Sequence, residues 1–156
     1  MEYESEKKRR ARDREKATRK CVGFCGQERP LSEFDFKCSL CKECRGKGYL
    51  SEWIANIKNR VKAKGWDFEI DAAFIQELFS KQSGKCALTK IPFTFNFEKC
   101  KTVKKDPFSP SIDRIDSAKG YTKDNVRLVC MVVNLALNEF GDDTFSKMCR
   151  AFVQNN

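Results

Sequence analysis

The sequence predicts an α+β fold: a small strand–strand–helix core behind an N-terminal four-cysteine knuckle, with helices flanking both. Three observations predict it. Five cysteines crowd into residues 21–47, two helical hydrophobic stripes follow, and a stretch alternating apolar with charged residues then returns to helical spacing. These changes divide the chain into a charged arm over 1–20, a knuckle over 21–48, a helical spacer over 49–84 and a core over 85–156 that ends in helices.

The arm carries an excess of Lys and Arg and no apolar stripe, so it reads as a solvated tail or a phosphate-contacting arm. Net charge over the whole chain is +9, which favours an anionic partner such as nucleic acid or a membrane surface. No apolar run approaches the roughly 20 residues a bilayer crossing needs. The N-terminal stretch lacks an apolar segment of secretory type, so an intracellular, reducing location is expected. There, nine cysteines, an odd number, point to metal binding rather than disulfides. Histidine is absent. Its absence excludes every imidazole base and every histidine metal ligand.

Cys21 and Cys25 form one close pair, and Cys41 and Cys44 another. Two such pairs, each presented by a tight turn, can wrap four thiolates tetrahedrally around Zn²⁺. Cys38 competes as a ligand, but a Cys38–Cys41 pair would leave Cys44 over. A site filled by four protein ligands performs no chemistry; it folds a segment too small to bury its own core. Such a knuckle would present Arg45 and Lys47 to phosphate.

Leu50, Trp53, Ile54, Ile57 and Val61 then recur at helical spacing up to about Lys64, where Gly65 ends the helix. Lys58, Arg60 and Lys62 lie off that stripe and are candidate DNA contacts. A second helix is expected from Asp71, its cap, to Lys81, with Phe74, Ile75, Leu78 and Phe79 buried. The segment 91–109 reads as a loop, and its Phe93, Phe95 and Phe97 serve either as core anchors or as stacking surfaces for RNA bases.

Residues 111–116 alternate as a half-buried strand should, Gly120 closes a turn, and Val126–Val129 forms a second strand. Met131, Val132, Leu135 and Leu137 resume helical spacing, as does 143–153. Two strands followed by a helix place residues from all three elements around one point. Asp113 and Asn134 there offer oxygens to a hard cation such as Mg²⁺, and Asn125 can pin the intervening loop by backbone hydrogen bonds.

Together, Asp113-Arg114, Gly120-Tyr121, Asn125 and Asn134 resemble the ββα-metal motif of the HNH (His-Me finger) endonucleases. The closer resemblance is to the restriction and phage-encoded subgroup in which arginine replaces the usual general-base histidine. It covers residues 21 to about 150 and is most specific in the last third. Taken singly, these residues read as a surface ion pair, a turn aromatic and polar caps; their order and spacing carry the likeness. It implies that Asp113 and Asn134 bind a catalytic Mg²⁺ or Mn²⁺, and that Tyr121 attacks or activates water. Arg114 would stabilise phosphate charge or lower the pKa of Tyr121, and Asn125 would hold the loop. Arginine is a poor base, with a pKa above about 12. Tyrosine, near about 10, can be drawn down by an adjacent cation.

The chain departs from that subgroup in three places. The two cysteine pairs of its second zinc read here Cys86…Thr89 and Cys130…Val133, leaving Cys86, Cys130 and Cys100 as packing residues or an incomplete site. No histidine lies near the motif, and Leu137-Asn138 follows where lysine is common. The expected function is therefore a metal-dependent DNA endonuclease, restriction- or homing-like, with no membrane partner and no small-molecule substrate. A homodimer would let one site per subunit cut both strands. The alternative is a zinc-knuckle DNA-binding module without catalysis.

Overall fold

A computed structural model describes residues 17–35, 38–45, 50–95 and 106–155 of the chain. Residues 1–16 of the expected arm, Lys47, Phe97 and Cys100 lie outside the described residues. The last three residues of that arm, Thr18–Lys20, form a strand, β1, which pairs antiparallel with β2 (Glu28–Pro30). The hairpin between them carries Cys21 and Cys25, and a 3-10 turn over Leu31–Glu33 leads on to Cys41 and Cys44.

The first helix, α1, runs Leu50–Lys62 and buries Leu50, Ile54, Ile57 and Val61. Its closing turn is a glycine cap: Gly65 has φ +66°, and the Trp66 N–H donates back to the Val61 carbonyl at 3.4 Å. Helix α2 spans Ala72–Lys81. Asp71 caps it, its carboxylate accepting from the Phe74 N–H at 2.7 Å, and Ile75 and Phe79 form the buried stripe with Phe74 and Leu78 partly covered.

Strands β3 (Pro110–Arg114) and β4 (Val126–Cys130) pair antiparallel about Gly120, with Ile112 opposite Leu128 and Asp113 opposite Arg127. Helix α3 (Met131–Leu137) follows β4 directly, so β3, β4 and α3 make a ββα unit. Helix α4 covers Gly141–Gln154. The described part of the chain is thus an α+β fold with two separate two-stranded sheets.

Phe24 joins the cysteine knuckle to the helices. It is fully buried, with its ring centroid 5.0 Å from Trp53, 6.4 Å from Phe79 and 6.3 Å from Phe95. Phe93 is buried beside Phe79, so Phe93 and Phe95 are core anchors and not exposed stacking surfaces. Gln76 Nε2 adds a hydrogen bond to the Gly23 carbonyl at 2.8 Å. Burying aromatics of this size is the largest apolar contribution available to so short a segment.

Two expectations of burial change. The alternation of 111–116 predicted one wet face, yet Ser111, Ile112 and Asp113 are all buried. Ile112 faces the core, while the other face is covered by polar partners: Asn134 on Ser111 and Arg127 on Asp113. In α3 the buried residues are Val133 and Leu137; Val132 and Leu135 are exposed. The helix turns to bring Asn134 onto β3, and that rotation carries Leu135 to the rim of a cleft.

Candidate active site and metal knuckle

The knuckle gathers Cys21, Cys25, Cys41 and Cys44, whose sulfurs all lie within 4.8 Å of one another and are buried. Cys38 stands outside this group and is only partly buried. Backbone amides point at the sulfurs: Gly23 and Cys41 N–H each donate to Cys21 Sγ at 3.3 Å, and Cys25 N–H to Cys44 Sγ at 3.5 Å. These bonds favour thiolates, the metal-binding form. Four sulfurs in so small a space cannot share negative charge unaided. Cys21 is held far below the usual thiol range by hydrogen bonds from Cys25 and Cys44, while the same contacts push Cys25 up to about 12 and Cys44 further. A divalent cation resolves that conflict, so the donor set fits a tetrahedral metal. It is the one group of three or more possible ligands among the described residues.

Cys86 and Cys130 are fully buried neighbours, with the Cys130 N–H donating to Cys86 Sγ at 3.4 Å. Burial pushes the Cys130 thiol up to about 12. Thr89 hydrogen-bonds the Cys86 sulfur, and with the other contacts holds it down against the cost of burial. Among the described residues they pack as small buried side chains, while Cys100, the third member of the alternative site, lies outside them.

The second site is an open cleft of about 590 Å³ whose walls come from three places. The β3–β4 hairpin contributes Asp113, Arg114 and Tyr121; α3 contributes Met131, Asn134, Leu135 and, just past its end, Asn138; α1 contributes Trp53, Ile57 and Arg60. The expected spacer helix therefore also walls the cleft.

Asp113 is 6% exposed, and burial raises its carboxyl above the usual range despite the opposing pull of Arg127. Arg127 Nε donates to Asp113 Oδ2 at 2.8 Å, and its two terminal nitrogens grip the carboxylate of Asp142 at the start of α4. One Asp113 oxygen is therefore engaged. Asn134 Nδ2 donates to Ser111 Oγ at 2.8 Å and to the Ile112 carbonyl at 3.1 Å. With the amide nitrogen occupied on β3, the amide oxygen is the atom left to offer a ligand. A carboxylate oxygen and an amide oxygen on one cleft fit a hard divalent cation.

Asn125 is 5% exposed and makes three bonds to the loop: its Oδ1 accepts from the Asp116 N–H at 2.9 Å, and its Nδ2 donates to the carbonyls of Asp116 at 3.0 Å and Gly120 at 2.9 Å. The Arg114 guanidinium lies over the Tyr121 ring at 5.3 Å and over Trp66 at 4.0 Å. Tyr121 is partly buried at the cleft.

The candidate DNA contacts separate. Arg60 lines the cleft, Lys58 and Lys62 are exposed elsewhere on α1, and Arg45 sits on the knuckle, paired with Asp35. Two residues of the site escaped the sequence reading, Trp66 and Arg127. Arg127 had a usable signal: a hairpin folded about Gly120 pairs residues equidistant from it, which sets Arg127 opposite Asp113. Trp66 had none, because it arrives by tertiary packing.

No helix among the described residues is long and apolar enough to cross a membrane. No protein-family model matches the sequence. Nor does any curated protein match it. A solved structure similar to this chain is that of PacI, described as a rare-cutting HNH restriction endonuclease with an extraordinary mechanism of DNA perturbation; it is 18% identical, over 81% of this chain and 86% of that chain, with a TM-score of 0.47.

Proposed function

We propose that the chain is a divalent-metal-dependent endonuclease that cleaves a phosphodiester bond of DNA. The observation that carries this reading is a single cleft lined by Asp113, Arg114, Tyr121 and Asn134, drawn from a hairpin and the helix after it. Asp113 and Asn134 would hold Mg²⁺ or Mn²⁺, which when bound supplies charge stabilisation to the phosphate and the leaving oxygen. Tyr121 would attack phosphorus or take a proton from water. Arg114 would bind the phosphate oxygens, since among the described residues one of its N–H groups donates to the Lys119 carbonyl and the others remain for a ligand. Asn125 keeps the loop from Asp116 to Gly120 in place beneath Tyr121.

The four-cysteine knuckle would hold Zn²⁺ as a structural ion. Arg45, Lys47, Lys58, Arg60 and Lys62, on a chain of net charge +9, would meet the DNA backbone. One such site cuts one strand, so a double-strand break takes two subunits or two encounters.

A second reading, a DNA-binding module without chemistry, is favoured by one observation: Arg127 already occupies one oxygen of Asp113. Plasmid nicking in Mg²⁺ or Mn²⁺ separates the two. Relaxed or linear product that vanishes with EDTA and with Asp113→Ala supports the nuclease. Folded, zinc-loaded protein that retains DNA but yields no product supports the module. Tyr121→Phe is expected to abolish cleavage with DNA binding nearly intact; unchanged turnover would end the tyrosine role.

A further inference from the structure

Arg114 sits in the cleft with an unusual set of neighbours. Among the described residues its contacts are two aromatic rings and one carbonyl, with no carboxylate ion-paired to it: Trp66 at 4.0 Å, Tyr121 at 5.3 Å, and a hydrogen bond from Nη1 to the Lys119 carbonyl at 2.9 Å. A carboxylate partner would fix a guanidinium but also neutralise the charge that a phosphate needs. An indole face attracts the cation through its quadrupole and leaves its charge and its N–H donors available.

The ring that does this is itself fixed. The glycine cap at Gly65 turns the chain at the end of α1, and the Lys64 ammonium lies over the Trp66 ring at 4.7 Å. The following residues bracket Tyr121. Its N–H donates to the Asp67 carbonyl at 2.9 Å, and its own carbonyl accepts from the Glu69 N–H at 2.9 Å. Gly120 permits this approach, since a Cβ there would stand 2.2 Å from the Asp67 carbonyl oxygen. The segment 65–69 thus touches both members of the Arg114–Tyr121 pair: Arg114 through the Trp66 ring, and Tyr121 through backbone and the Phe68 ring, whose centroid lies 6.3 Å from that of Tyr121.

We propose that Trp66 is a positioning residue for phosphodiester cleavage, its indole face holding the Arg114 guanidinium beside Tyr121 in the cleft without neutralising it. The proposal rests on the nuclease reading above. Misplacing a charge-stabilising group by about 1 Å costs on the order of 10²-fold in rate.

The test compares Trp66→Leu and Trp66→Phe with the full, zinc-loaded chain. Leucine keeps apolar bulk and removes the π face; phenylalanine keeps a face. The leucine variant is expected to lose about 10- to 100-fold in kcat, with KM and DNA affinity within about two-fold, and the phenylalanine variant to recover most of the loss. A readout free of cleavage is the Arg114 Nε–Hε NMR resonance. It should be shifted by the indole ring current in the parent chain, retain part of that shift with phenylalanine and lose it with leucine. Unchanged kcat in the leucine variant of an active enzyme overturns the proposal, as does an Arg114 resonance indifferent to Trp66. A parent chain that does not cut, yet shows the Trp66-dependent shift, removes the nuclease reading and supports the placement of Arg114. Should the leucine variant not fold, Trp66→Met carries the same comparison.

Discussion

The knuckle takes its four ligands from neighbouring turns between Cys21 and Cys44 and buries every one of them. The cleft takes its groups from α1, the hairpin and α3, and leaves them lining an open space. In the knuckle, sulfur faces sulfur, and the four thiolates could all be charged together only around a cation. In the cleft four of the lining residues are already held by others: Asn134 by β3, Asp113 by Arg127, the Tyr121 backbone by Asp67 and Glu69, and Arg114 by Trp66. A closed, self-conflicted donor set is a folding device. An open, pre-organised one can accept and release a ligand.

The comparison breaks first at the knuckle. Chelating the metal, or replacing Cys44 with Ser, is expected to unfold the segment around β1 and β2 and to expose Phe24, because a structural zinc contributes about 10–16 kcal/mol of binding free energy. Metal content by atomic absorption and melting by circular dichroism check this. Full melting temperature with less than one metal per chain would show that the cysteines only pack.

Next in size is Gly120→Ala. A Cβ there meets Asp67 backbone and not a side chain that could swing away, so about 3 kcal/mol of stability should be lost, read by urea unfolding. Asn125→Ala removes three hydrogen bonds and strands buried backbone groups, at about 2 kcal/mol, and should loosen hydrogen exchange between Asp116 and Gly120 while leaving metal content unchanged. An effect on the knuckle from that change would blur the distinction between the two regions.

Smaller effects sharpen it. Lys58→Ala and Lys62→Ala should each lower the salt dependence of DNA binding by about one unit of slope, with cleavage rate at saturation unchanged. Asp142→Asn gives the smallest. The hydrogen bonds from Arg127 hold the Asp142 carboxyl below its usual range. Its contribution to stability is therefore present above the unfolded value of about 3.9 and is lost as pH falls through the lower folded value. The parent's melting temperature should fall more steeply than the variant's between about pH 4 and pH 2; parallel curves would show that the pair contributes nothing.

Local signals were legible in the sequence. Asp71 before an apolar stripe announced α2 and its cap, and Gly65 announced the end of α1; the spacing of Cys38, Cys41 and Cys44 is the same on both sides, and the tertiary arrangement sets Cys38 outside the group of four. The hairpin about Gly120 was legible too, though its burial was not. Alternation shows which side chains share a face, but not that Arg127 and Asn134 will cover the polar one. The rotation of α3 was misread for the same reason, since a hydrogen-bonded Asn134 outweighed an apolar Leu135 in choosing which face meets the strand. Trp66 belongs to the site through contacts with residues far along the chain, and no window of local sequence contains them.

The pairing of Phe68 with Tyr121 in a parallel bridge carries a consequence for the order of assembly. Loop closure between Cys21 and Cys44 is short, and a growing chain can complete it as soon as those residues emerge. Closure between Phe68 and Tyr121 spans α2 and the loop after it, and waits for β3 and β4. A nascent chain is therefore expected to bring Cys21, Cys25, Cys41 and Cys44 together before the cleft around Asp113, Tyr121 and Asn134 can form.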